Sequence, residues 1–356
     1  MNSNQTNSLL LVLAAVSTLS ISAISAEVQL TITGSTAFRS ITIDRAAAIM
    51  DPGYTGITND ASAGKMTFIG TVSNAAPVLG NTPVKLRLSF SGSISGMNAV
   101  NNQTPVNTAE GPGTTLNVVP DVALSDVFPA AATPPIPDSA FTRYVVGVLP
   151  FAYVRNNNVT GLDNLTQDQA VFLMANSGPS LPQTFFGGAN PAPLYLIGRD
   201  AGSGSRLSIE RDVKFVGSPV LWATNAAGKY ILTNGFSSGS LVRNFIRDNL
   251  NTIGYLGLGD YLAITNQTAL VAYNGVRFTL DDVYNGRYTL WGYEHMVHRV
   301  GGLSGSQQQV FNALKNAIID PAYQETSALY APNFGELTKM RVERNSDGGP
   351  LSSLEF

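Results

Sequence analysis

The chain has 356 residues, 44% of them hydrophobic and 13% charged, with a formal net charge of −3 and no cysteine. Such a length exceeds what one compact core commonly serves, so two lobes are expected. The charge balance, with no Lys/Arg-rich run, offers nucleic acid no basic surface, and the missing cysteines exclude disulfides, thiolate metal sites, cysteine nucleophiles and a lipid-modified N-terminal cysteine.

Residues 1–26 carry no charged side chain. Leu9 to Val16 form an apolar run, and small residues follow through Ser22-Ala23-Ile24-Ser25-Ala26. This pattern predicts a secretory signal peptide cut near Ala26. The competing reading, an uncleaved anchor, needs ~20 apolar residues, and the serines and threonines here dilute the stretch below that. Export without a lipid anchor places the expected mature protein free in a periplasm.

Val28 to Thr33 alternates as a strand should and is broken by Gly34-Ser35-Thr36. Helical spacing follows over Phe38 to Met50. Val84 to Phe90 is a second alternating strand, followed by Ser91-Gly92-Ser93-Ile94-Ser95-Gly96. Residues 101–117, rich in Asn, Thr, Pro and Gly, predict a surface loop. Val118 to Leu124 reads as a strand ending at Ser125-Asp126, and Ala130 to Asp138 as an exposed Pro/Ala connection. Tyr144 to Leu149 opens a second region. Helices are expected over Leu165 to Ala175, Arg206 to Val213 and Leu241 to Leu250. Short buried strands are expected at Leu194 to Gly198 and Ile253 to Leu256. Near the end, Ser304 or Ser306 can cap a helix whose Val310, Phe311, Leu314, Ala317 and Ile318 share one face. Strands alternating with helices indicate an α/β fold.

One arrangement recurs at Thr36, near Ser93 and at Ser203: an apolar strand, a Gly/Ser/Thr turn, then a helix start. Unpaired N–H groups and the positive end of the helix dipole collect there, and Ser or Thr adds a hydroxyl donor. Each turn alone could be ordinary N-capping; together they would form an anion site. The third turn is sharper because Arg199 precedes it, and a guanidinium matches a tetrahedral oxyanion. Its simpler role is an ion pair with Asp200, Glu210 or Asp212. Asp126 would repel a fully ionised anion and favour one that still has a proton to donate, as phosphate does and sulfate at neutral pH does not.

Three segments carry a resemblance. Thr33-Gly34-Ser35-Thr36-Ala37-Phe38, Ala123-Leu124-Ser125-Asp126 and Gly198-Arg199-Asp200-Ala201-Gly202-Ser203-Gly204-Ser205 resemble the periplasmic phosphate-binding proteins of phosphate ABC transporters. Asn251 to Tyr255 and Asn285 to Trp291 add to it. The resemblance implies a two-lobed type II periplasmic-binding-protein fold with phosphate between the lobes. It places Thr36 and the Ala37 N–H, with Ser93 or Ser95, on the ligand from lobe one. Asp126 takes the ligand's proton. Arg199, Ser203, the Gly204 N–H and Ser205 bind from lobe two. It also implies that lobe one comprises residues 27–143 and 287–356, and lobe two residues 144–286. The partner is an ABC-transporter permease in the inner membrane, and the protein is a monomer without cofactor or metal. The family's aspartate two residues after the arginine is replaced here by Ala201, and an aspartate stands at 200 instead. This leaves open which carboxylate steadies Arg199.

Enzymatic readings have little support. His295 and His298 would share a face only on a helix, and they lack the spacing of a zinc protease motif. Gly202-Ser203-Gly204 is neither a nucleophile elbow nor the start of a P-loop. The remaining alternatives are an exported structural or adhesive protein on the same fold, and a receptor for another oxyanion such as sulfate.

Overall fold

A computed structural model describes residues 26–58, 64–72 and 79–354. The leader expected over residues 1–26 therefore lies, apart from Ala26, outside the described residues. Among them, no helix is long and apolar enough to cross a membrane.

The first half runs β1 (Val28–Gly34), α1 (Arg39–Ile49), β2 (Thr55–Thr58), β3 (Lys65–Gly70), β4 (Val84–Phe90), α2 (Ser93–Asn102), β5 (Val106–Gly111), β6 (Thr114–Val118) and β7 (Val122–Ser125). The long strand β8 (Phe141–Asn156) leads into β9 (Asn164–Leu165), α3 (Gln167–Asn176), β10 (Gly178–Pro182), β11 (Pro193–Ile197) and α4 (Gly204–Asp212). Next come β12 (Leu221–Thr224), β13 (Tyr230–Thr233), α5 (Gly239–Asp248), β14 (Thr252–Gly257), α6 (Leu258–Leu262), β15 (Thr268–Tyr273) and α7 (Leu280–Tyr284). The chain returns through β16 (Trp291–Arg299), α8 (Gly305–Ile319) and α9 (Pro321–Thr326), and ends with β17 (Val342–Glu343) and β18 (Ser352–Ser353).

β1 lies parallel between β4 and β7, and β16 runs antiparallel between β7 and β8. On the other side, β8 pairs with β14 and β15, and β14 lies parallel to β11. β8 therefore belongs to both halves. Its residues Phe141 to Pro150 bond to β16, and its partners from Phe151 onward are in β14 and β15. The hand-over falls at Pro150, which has no N–H to give to a ladder, so the residue suits the seam where one partner strand ends and others begin.

The core strands are sheathed on both faces, which is why they read as near-continuous apolar runs. Leu30, Ile32, Leu86 and Leu88 are fully buried in the first half, and Leu194, Leu196 and Ile253 in the second. Ser304, not Ser306, caps α8, in a capping box with Gln307.

Two expectations fail. Residues 101–117 are not a loop: they finish α2 and form the hairpin β5–β6. Thr67 Oγ1 donates to Ala109 O at 2.6 Å, Ser89 Oγ donates to Asn107 O at 2.9 Å, and Arg87 pairs with Glu110. These distant partners, invisible to local composition, order the hairpin. The Pro/Ala connection at 130–138 is only partly exposed. Ala131, Ala132 and Ile136 are buried against Ile94, Met97 and Val100 of α2.

Candidate functional site

The three turns singled out in the sequence all precede helices. After β1, Gly34 has φ +114°, and a Cβ there would sit 2.1 Å from Leu124 O, so only glycine lets β1 and β7 end side by side. Ser35 N–H donates to that same carbonyl at 2.9 Å, and Ser35 Oγ accepts from Phe38 N–H at 3.3 Å. Thr36 and Ala37, half-buried, are left facing a cavity. After β4, α2 starts at Ser93 with no side-chain cap. After β11, Ser203 Oγ accepts from Arg206 N–H at 3.3 Å and caps α4, which leaves its own O–H free to donate.

The second and third turns meet across Asp126, which is 2% exposed. Ser93 Oγ donates to one carboxylate oxygen at 2.6 Å, and Ser205 Oγ to the other at 2.7 Å. Asp126 N–H donates to Ser93 Oγ at 3.2 Å, and Ile94 N–H to Gly202 O at 3.2 Å. A Cβ on residue 204 would lie 2.5 Å from Ser93 Oγ, so Gly204 is what allows the two turns to touch. Ser95 is exposed, beside Gly202, and is not among the hydrogen-bond partners of Asp126.

Arg199 is 3% exposed, yet among the described residues no carboxylate lies within ion-pair distance of it. Its Nε donates to Phe236 O at 3.0 Å and its Nη2 to Ser237 O at 2.9 Å. The three acids expected as partners do not steady it: Asp200 makes no ion pair with it, Glu210 bonds Arg206 at 2.7 Å, and Asp212 bonds Arg344. Two backbone carbonyls therefore do the work assigned in advance to a carboxylate. Burial pulls the Arg199 pKa down, and the charge of Asp126, then Asp200, pulls it back. Arginine stays protonated under such a shift, so a guanidinium without a neutralising partner is held near Asp126.

A cavity of about 280 Å³ opens at Thr36 and Ala37. Its far wall is Ser240 and Arg243 of α5 with Gly257 to Asp260, and Leu149-Pro150 at the seam of β8 closes one end. Arg243 pairs with Asp260 at 3.3 Å. Burial raises the Asp260 pKa, and Arg243, Arg199 and Arg39 oppose the rise.

Sequence reasoning missed Asp260, Arg243 and Glu294. Glu294 lies fully buried in β16, near Ser35 and the Ser125 backbone, with neither making a hydrogen bond of ordinary geometry to it. Burial, with Asp126 adding repulsion, pushes its pKa well above the usual carboxylate range. A lone acid inside the apolar run Trp291 to Val297 was the available signal. His295 and His298 lie on β16, where residues three apart point to opposite faces, so they cannot share a metal. His298 Nδ1 lies 2.9 Å from Arg299 O, and burial drops the His295 pKa to about 3. No group of three or more His, Asp or Glu able to hold a metal occurs among the described residues.

No family model matches the chain. A curated relative, the phosphate-binding protein PstS of Bacillus subtilis (strain 168), is 27% identical over 244 residues, 67% of this chain and 73% of the relative. A Clostridium perfringens structure, described as a phosphate ABC transporter substrate-binding protein with bound phosphate, superposes with a TM-score of 0.57 at 16% identity. It covers 87% of this chain and 99% of the other. An ABC-type phosphate transport receptor from Vibrio cholerae gives 0.52 at 16% identity, over 80% and 93%. In its two-lobed α/β fold and in its sequence, the chain is similar to the phosphate-binding receptors of ABC transporters.

Proposed function

We propose that the chain captures inorganic phosphate between its two lobes and delivers it to an ABC-transporter permease in the inner membrane. The observation that carries this is Asp126, buried between Ser93 of one half and Ser205 of the other, close to an Arg199 that no acid neutralises. In this reading Thr36 Oγ1, the Ala37 N–H and Ser93 bind from lobe one. Arg199, Ser203, the Gly204 N–H and Ser205 bind from lobe two. Asp126 accepts the proton that phosphate still carries. Ser93 is preferred to Ser95 because it is the serine that reaches Asp126.

Residues 27–143 and 287–356 form the first lobe in this proposal and 144–286 the second, with β8 shared between them. Ligand entry requires Ser93 and Ser205 to part, and closure buries the anion among fixed dipoles without any bond being made or broken. Residues 1–26 act as an export leader, and the mature protein works as a periplasmic monomer without metal or cofactor. Calorimetry on the purified chain with phosphate and with sulfate tests the reading. Phosphate is expected to bind at micromolar concentration or below and sulfate at least about a hundredfold more weakly, since a buried carboxylate facing an unprotonated anion costs several kcal/mol. Absence of phosphate binding at millimolar concentration would sink the proposal.

A further inference from the structure

Beside the proposed anion site lies space that a bare oxyanion does not need. The cavity opens from Thr36 and Ala37, and its 280 Å³ is close to the lower end of the roughly 300–1,000 Å³ of small-molecule pockets. It suits a group of a few carbon atoms. Both halves supply its walls. Arg39 of α1 faces Ser240 and Arg243 of α5, with Asn333 alongside, and Leu149 and Phe334 provide an apolar side. Charge is unbalanced there. The guanidiniums of Arg39, Arg199 and Arg243 all act on Asp260, and Asp126 and Asp200 act on Arg199 from the side of the anion site. Of the charged side chains that line the cavity itself, Arg39 and Arg243 are positive and Asp260 alone is negative, which favours an anionic ligand that extends beyond the first turn.

Resting on the phosphate reading above, we propose that this cavity receives the organic part of a small hydroxylated phosphate monoester. The ester phosphate keeps the contacts to Arg199, Ser203 and Ser205, and with a second pKa of about 6 it offers a proton to Asp126 as the monoanion, its main form below pH 6. Hydroxyl groups on the organic part meet Ser240 and Asn333, and its carbon atoms lie against Leu149 and Phe334.

Gly257 provides the test. It lines the cavity with φ −63°, and a Cβ there meets nothing within 4 Å, so Gly257→Leu fills the space without straining the backbone. Inorganic phosphate and glycerol 3-phosphate are titrated by calorimetry into the unaltered chain, into Gly257→Leu and into Ser240→Leu, which fills the cavity from the α5 side should the first variant not fold. At pH 5.5, where most of the ester still carries its proton, it is expected to bind the unaltered chain within tenfold of phosphate. Either variant should weaken the ester tenfold or more while leaving phosphate within about threefold. If the chain binds phosphate but not the ester, or if both ligands weaken equally in the filled variants, the cavity proposal is overturned and the phosphate reading stands. If neither ligand binds the unaltered chain, both fall together.

Discussion

At the scale of single residues, the site turns on how its charges are compensated. Asp126 has both oxygens occupied by serine hydroxyls, which fixes the orientation of the carboxyl group. Asp126→Asn keeps the shape and removes the charge. It is expected to cut the preference for phosphate over sulfate at least tenfold, measured by competition calorimetry, because the repulsion that rejects an unprotonated anion is gone. Arg199→Ala removes a buried cation whose loss costs about 2–5 kcal/mol of binding, or at least about thirtyfold in affinity. Arg199→Lys should rescue little of this, since an ammonium cannot donate to Phe236 O, Ser237 O and an anion with the same fixed geometry. Glu294 differs from both: it is an acid buried under the site. Glu294→Gln should leave phosphate affinity within about threefold and should raise the melting temperature above pH 7, where the native acid is under pressure to ionise without a partner.

At the scale of elements, α4 has two tasks that one substitution can separate. Ser203 caps the helix, and a lost cap costs about 1 kcal/mol. Ser203→Asp keeps a capping oxygen and adds a charge that favours the helix start, so the melting temperature should hold or rise. The same charge opposes an anion, so phosphate affinity should fall at least tenfold. A variant that melts normally and binds normally would remove Ser203 from the site. The turns themselves were legible in the sequence because each is local: an alternating strand, then glycine and hydroxyl residues, then helical spacing. The support around them was not. The carbonyls that hold Arg199 come from Phe236 and Ser237, more than thirty residues later in the chain. Asp260 became visible only once folding had buried it beside Arg243. The hairpin β5–β6 was read as a loop because its order comes from Thr67, Arg87 and Ser89 on neighbouring strands and not from its own propensity.

At the scale of the whole molecule, the C-terminal segment ties α4, which carries the third turn, back to the first half. Arg344 pairs with Asp212 at the end of α4, both nearly inaccessible, donates to Thr289 O at 3.0 Å and covers the Trp291 ring at 4.1 Å. Asp347 accepts from Phe128 N–H at 3.0 Å, and Lys214 donates to Gly348 O. At pH 8, where Asp212 is ionised, Arg344→Met should cost on the order of 3 kcal/mol, since it leaves that charge buried without its cation. The same strap should make stability depend on pH. Burial raises the pKa values of Asp212 and Asp347 to about 7, with Arg344 only partly offsetting the rise for each. Each carboxyl keeps its proton in the folded chain between its unfolded value of about 4 and its folded value, so its contribution favours folding at low pH and is lost as pH rises toward 7. His295 acts in the opposite sense. It stays neutral when folded down to pH about 3, whereas the unfolded chain protonates it below about 6.5, so it takes stability away as pH falls. The two carboxyls of the strap therefore contribute a loss of stability as pH rises from 5, which His295 opposes below about 6.5, which ends for the strap near pH 7.5, and to which the buried acid Glu294 adds. The slope should be on the order of 1 kcal/mol per pH unit for each net proton. Thermal melts from pH 5 to 8 measure it. Asp347→Asn retains an acceptor for Phe128 N–H and should lessen the slope between pH 5 and 7 by about one proton's worth, roughly 1.4 kcal/mol per pH unit, and an unchanged slope in that variant would show that the strap does not carry it.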